Sequence, residues 1–170
     1  MIKIFFSILL MLVCTTQGCI SDKEPDGPSI KVGEPLPAFS VVMTDGTVVS
    51  DITLKGKVPV IVFFNTDCGD CRKELPVIQK LWEIYKDDPK VVVAPIAREE
   101  SEAKIAAYWK ENNLTMPYSP QDNRDVYSLF APSIIPRIYI ANTMGIVTFS
   151  SDDSDMPDLD TLITAIQSSL

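Results

Sequence analysis

The chain contains no histidine, only four cysteines among 170 residues, and fewer basic than acidic side chains, 15 against 23. Each scarcity removes a class of function. Zinc sites draw their ligands from Cys, His and carboxylates, so with no imidazole and a single C-x-x-C pair only an unusual thiolate and carboxylate set could be assembled. No metal site is therefore expected. The net charge of −8 argues against nucleic acid as a partner and against a polybasic grip on anionic lipid. Most of the acidic excess reads as solvated surface. The longest N-terminal apolar run is too short to span a bilayer comfortably, and no internal repeat, low-complexity tract or second domain boundary interrupts the chain.

Residues 1–18 have the layout of an export signal: Lys3 as a small positive start, Ile4 to Val13 as an apolar centre, and Thr15-Thr16-Gln17-Gly18-Cys19 as a polar, small-residue cleavage region. The segment Thr16-Gln17-Gly18-Cys19 resembles a relaxed bacterial lipobox, in which Cys19 would become the lipidated first residue. It departs from the usual pattern at Thr16 and Gln17, which leaves ordinary signal-peptidase cleavage open. Residues 19–32 are polar and rich in Pro and Gly and read as a flexible tether, whose acidic start also resembles the surface-export signals of some Bacteroidetes lipoproteins. Residues 33–170 are then one domain, long enough for a single hydrophobic core.

Within it, Phe39 to Val42 and Thr47 to Val49 flank Asp45-Gly46, a strong hairpin signal. Val58 to Phe64 is apolar at consecutive positions and predicts a strand covered on both faces. Asp70 to Asp87 predicts a helix burying Leu75, Ile78, Leu81, Trp82 and Tyr85, with a kink at Pro76. A second buried strand is expected at Val91 to Ile96, helices at Ser101 to Asn112 and Arg124 to Phe130, a hairpin pairing Ile138 to Ile140 with Ile146 to Phe149, and a final helix at Asp158 to Ser168. This order implies an α/β sandwich with helices on both faces of a central mixed sheet and an N-terminal β-hairpin extension.

The chemistry concentrates at Cys68-Gly69-Asp70-Cys71, a C-x-x-C at a strand-to-helix junction. That placement points to a redox-active dithiol. Cys14 and Cys19 fall in the targeting region, so no further Cys remains in the domain to pair with either thiol. A purely structural disulfide closing so short a loop would remove little unfolded-state entropy.

Three stretches together resemble a thioredoxin-like protein of the extracytoplasmic TlpA/ResA type, related to the peroxiredoxin-like AhpC/TSA group. They are Gly33-x-Pro35-x-Pro37-x-Phe39, Phe63 to Pro76 around the dithiol, and Ile134-Ile135-Pro136-Arg137-Ile138-Tyr139-Ile140. The resemblance implies a thioredoxin-like sandwich, a cis Ile135-Pro136 bond lying against the dithiol, and a thiol–disulfide oxidoreductase that needs no cofactor beyond its own cysteine pair. Cys68 would attack a client disulfide and Cys71 would resolve the mixed disulfide. Glu74, one turn after Cys71, would sit near the thiols as a proton-handling acid, unless it is simply a solvated helix carboxylate. Thioredoxin itself has a buried Asp where this chain has Val62. Asp67, Gly69, Asp70, Ile135 and Arg137 are the expected substrate-contacting positions. This branch usually has Trp before the first Cys and Pro before the second. Asp67 and Asp70 stand there instead and would oppose negative charge on the adjacent sulfur by roughly 0.6 to 2.4 kcal/mol, partly offset by Arg72, Lys73 and Arg137, favouring a reductant.

The expected partners are client protein disulfides, a membrane thiol electron donor, and the membrane itself through a lipid on Cys19. The domain is expected to be a monomer, in the envelope of a Gram-negative bacterium and facing the periplasm or the cell surface. Two other readings share the fold. A peroxiredoxin-like thiol peroxidase would need P-x-x-x-[ST]-x-x-C, but Ile61 and Asn65 occupy the two variable-critical places. A lipid-anchored peptide-binding module would keep the cysteines without turnover.

Overall fold

The computed structural model describes residue 27 and residues 29–170; the export signal, Cys19 and most of the tether lie outside the described residues. A short antiparallel pair, β1 (Ser40–Val42) and β2 (Val48–Ser50), opens the domain. Asp45 closes their turn by accepting from the Thr47 backbone N–H at 2.9 Å, and Gly46 takes a φ of +84°, a region that glycine occupies without penalty.

The main sheet has the order β4-β3-β5-β6. β3 (Val58–Phe64) is its core strand, parallel to β4 (Val91–Ala97) and antiparallel to β5 (Arg137–Ala141), which pairs in turn with β6 (Val147–Ser151). All seven β3 residues are buried, as the uninterrupted apolar run requires of a strand covered on both faces. Phe63 and Phe64 point to opposite faces because side chains alternate along a strand. Phe63 packs against Phe130 and Tyr127 with ring centroids 4.9 and 5.2 Å away, while Phe64 meets Trp109 at 5.1 Å. Each such ring pair adds about 0.5–1.5 kcal/mol beyond simple burial, so the two clusters fix the strand that ends at the dithiol.

Helix α1 (Gly69–Tyr85) buries Leu75, Ile78 and Leu81 as its spacing predicts. Pro76 lies within it, and the helix runs unbroken to Tyr85. The ring is exposed, so the missing N–H is lost on the solvent side. Helix α2 (Glu102–Glu111) inserts Ile105 and Trp109 into the core. Helix α3 (Leu159–Gln167) starts at Asp158, whose carboxylate accepts from the Thr161 N–H at 2.8 Å, and buries Leu162 and Ile166.

The expected helix from Arg124 to Phe130 is not formed; only a 3-10 turn, Tyr127–Leu129, is present. Its bonds are mixed: the Leu129 and Phe130 N–H groups donate three residues back, to the Val126 and Tyr127 carbonyls, while those of Ser128 and Ala131 donate four back, to Arg124 and Tyr127, so no regular α-helical ladder develops. Pro132 follows at once and cannot donate to continue a helix, and the Arg124 guanidinium is committed to its carbonyl at 2.8 Å. Among the described residues, no helix is long and apolar enough to cross a membrane.

Candidate active site

The loop from β3 to α1 is held by side chains on both sides of it. Asn65 donates from Nδ2 to the Arg98 carbonyl at 3.0 Å and accepts from the Asp67 N–H at 2.8 Å. Its own carbonyl receives the Cys68 N–H at 3.1 Å. Thr66 is buried and donates both its backbone N–H, at 2.7 Å, and its hydroxyl to the Glu100 carboxylate. Lys104 completes this network, contacting Glu100 at 3.2 Å and pairing with Asp67. Arg72 turns back to donate to the Thr66 carbonyl and lies over the Tyr108 ring.

Cys68 caps α1. Its Sγ accepts the Cys71 N–H at 3.3 Å and lies 3.5 Å from the Ile135 carbonyl oxygen, to which the thiol can donate. Cys68 is half-buried, Cys71 is fully buried, and the two are free thiols here. Burial, reinforced by the hydrogen bond to Cys68, pushes the Cys71 thiol far above its ordinary value, although Arg98 and the Asn65 backbone act in the opposite direction. The two sulfurs thus differ in access, Cys68 reaching the surface and Cys71 lying beneath it.

The Ile135–Pro136 bond is cis, and the segment before it packs across the dithiol. Ile134 takes a φ of +73°, unusual for a β-branched residue. The buried Tyr127 holds that conformation by donating to the Ser133 and Ile134 carbonyls. Asn65, Asp67, Cys68, Arg98, Ile134 and Ile135 line one open groove over the exposed sulfur.

The positions singled out from sequence therefore separate. Asp67, Cys68 and Ile135 line the groove; Pro136 is buried behind it; Gly69 is exposed on the first turn of α1. Asp70 does not line the groove, and Arg137 does not reach it: it is half-buried at the start of β5 with an unpartnered Nε. The offset by nearby cations that the sequence suggests is found at Lys73 for Asp70 and, where it was not expected, at Lys104 for Asp67. Asp67 pairs with Lys104, which holds its carboxyl below the ordinary range, and Asp70 pairs with Lys73 at 2.8 Å, so a cation stands beside each carboxylate.

Glu74 is buried, with only 3% of its surface exposed, and its Oε1 has no hydrogen-bond partner. That removes the reading of a solvated helix carboxylate. Burial pushes its pKa up to about 7. Val62 is wholly buried in β3 and offers no substitute acid. Arg98, Glu100, Lys104 and Tyr127 escaped the sequence reading.

Comparison with known proteins agrees with this arrangement. The Redoxin family model matches residues 31–132, more than half of the chain. The thiol-disulfide oxidoreductase ResA of Bacillus subtilis is 27% identical over 161 residues, covering 92% of this chain and 89% of that protein. ResA of Bacillus cereus is 25% identical over 148 residues, with 84% and 83% covered. Among solved structures, a Bacteroides thetaiotaomicron protein provisionally named a protein disulfide isomerase superimposes with a TM-score of 0.76 at 28% identity, covering 83% of this chain and 91% of that one. StoA from Bacillus subtilis gives 0.66 at 20% identity, with 78% and 98% covered, a likeness of fold. The chain belongs to the Redoxin family and is a thioredoxin-like oxidoreductase with its cysteine pair at Cys68 and Cys71.

Proposed function

We propose that this protein reduces disulfides in proteins of the cell envelope, working outside the cytoplasm from a lipid anchor at Cys19. The observation that carries the reading is the asymmetry of the dithiol. Cys68 opens into a groove, with the Cys71 N–H and the N-terminus of α1 directed at its sulfur, while Cys71 lies beneath with its proton tightly held. The Cys68 thiolate attacks one sulfur of the client disulfide, forming a mixed disulfide and releasing the other client sulfur as a thiolate that takes up a proton. Cys71 then gives up its proton and attacks Cys68, so that the Cys68–Cys71 disulfide forms and the second client thiol leaves. Two electrons pass from the pair to the client.

The difficult step is removing the proton of Cys71. Glu74 follows one helical turn later, buried, unpartnered and with a pKa near 7, so it is suited to accept that proton and return it to the departing thiol. Asp67 and Ile135 contact the client in the groove, and backbone groups beside Pro136 are available to an extended peptide. A membrane thiol relay returns electrons to the pair, and the domain acts as a monomer without another cofactor. The export-like N-terminus and the chemistry support the same address, because disulfides persist outside the cytosol.

Insulin-disulfide reduction by wild type, Cys68→Ser and Cys71→Ser tests this. Cys68→Ser is expected to abolish turnover, and Cys71→Ser to accumulate a mixed disulfide at Cys68 visible by mass spectrometry. Cysteine-independent behaviour would leave a peptide-binding module, and peroxide-driven oxidation outpacing disulfide exchange would leave a peroxidase.

A further inference from the structure

The charges around the groove are almost all matched. Asp67 pairs with Lys104, Asp70 with Lys73, and Glu99 with Arg124 at 3.6 Å. Arg98 is the exception. Among the described residues it pairs with no carboxylate, yet it lines the groove beside Cys68 and Ile135 in a chain whose net charge is −8. Its backbone is fixed at the ends of two strands: the N–H donates to the Phe64 carbonyl at 2.8 Å, and the carbonyl accepts from Asn65. Its guanidinium sits 5.2 Å over the Tyr127 ring, and its Nε is buried without a partner. The opposing Arg124, 5.5 Å from the same ring, already spends its donors on Glu99 and the Pro132 carbonyl. The buried Nε is closed to any ligand, but the guanidinium charge lines the groove with no carboxylate among the described residues to face it, which leaves that charge available to an anionic group entering there.

We infer that Arg98 is a specificity-determining residue that binds a carboxylate on the client next to the disulfide under attack. The ligand class is an acidic side chain flanking the client cysteine, bound through charge-assisted hydrogen bonds to the guanidinium. The carboxylate takes no part in electron transfer; it sets which disulfides are presented to Cys68. Asp67, on the same groove, does not repel it strongly because Lys104 stands against it. The inference rests on the oxidoreductase reading above.

The test uses two synthetic peptides with one disulfide each, identical except for Glu or Gln beside the reacting cysteine. For the wild type, kcat/KM is expected to favour the Glu peptide by about tenfold. Arg98→Gln is expected to bring that ratio close to one, whatever it does to both rates together, and Arg98→Lys to restore part of it. A purely structural role for Arg98 would lower both rates and leave the ratio, which would overturn the proposal, as would a wild-type ratio near one. Should the glutamine variant fail to fold, the wild-type ratio still decides, since it must shrink as salt is raised. Failure of the wild type to reduce either peptide would instead sink the oxidoreductase reading.

Discussion

Glu74 and Glu100 are equally buried, each with 3% of its surface exposed, and they flank the same dithiol, yet the structure treats them in opposite ways. Glu100 receives the Thr66 N–H and hydroxyl and faces Lys104, so it serves as a structural anchor for the loop that carries Cys68. Among the described residues Glu74 has an Oε1 with no partner and no cation beside it, and burial pushes its pKa up to about 7. Depth does not make a carboxylate reactive. What distinguishes the two is whether the charged form finds compensation where it is buried.

The largest expected effect follows from Glu74. Folding raises it from 4.5 to about 7, so between those values the folded chain keeps a proton the unfolded chain has lost. Stability is then fully present below about pH 4.5 and falls as pH rises toward 7, by about 3 kcal/mol in all. Glu74→Gln should flatten this, being the more stable form at pH 8 and little different at pH 4, as read from urea midpoints. The same variant should lose the rise in mixed-disulfide resolution that the wild type shows as Glu74 deprotonates near pH 7. Retention of both profiles would show that Glu74 is not the group that titrates beside the dithiol.

Glu100→Gln tests the other half. It keeps one acceptor for Thr66 but removes the charge facing Lys104, so a loss of about 1–3 kcal/mol is expected, read from urea midpoints. The smallest change should come from Lys104→Ala. Its ammonium is about half exposed and Thr66 still donates twice to Glu100, so the loss of stability should be measurable but smaller than that of Glu100→Gln, and a second consequence should appear in Asp67, whose carboxyl rises toward its ordinary range by NMR titration.

Much of this was legible beforehand because it is encoded locally. The apolar run of β3 spans Val58–Phe64 as expected, and α1, β4 and α3 begin and end within a residue or two of their predicted limits. The turn at Asp45-Gly46 and the cap at Asp158 are similarly written in a few adjacent residues. Local pattern failed at Arg124 to Phe130, where helix-compatible residues are recruited by partners outside the segment. Tyr127 is drawn to the Ser133 and Ile134 carbonyls and Arg124 to Glu99 and Pro132. Spacing placed Glu74 one turn from Cys71 but left open whether that turn faced water.

The sequence by itself determined the redox pair, the strand and helix that present it, and the elimination of histidine chemistry, since these depend on residue type and near-neighbour spacing. Only the tertiary structure decided that, among the described residues, Glu74 is buried with its Oε1 unpartnered, that Glu100 after β4 and Lys104 on α2 brace the Cys68 loop, and that Arg98 lines the groove with no carboxylate facing it. Those outcomes depend on contacts between segments more than 30 residues apart. Burial and charge compensation belong to the assembled neighbourhood, not to any one stretch of chain.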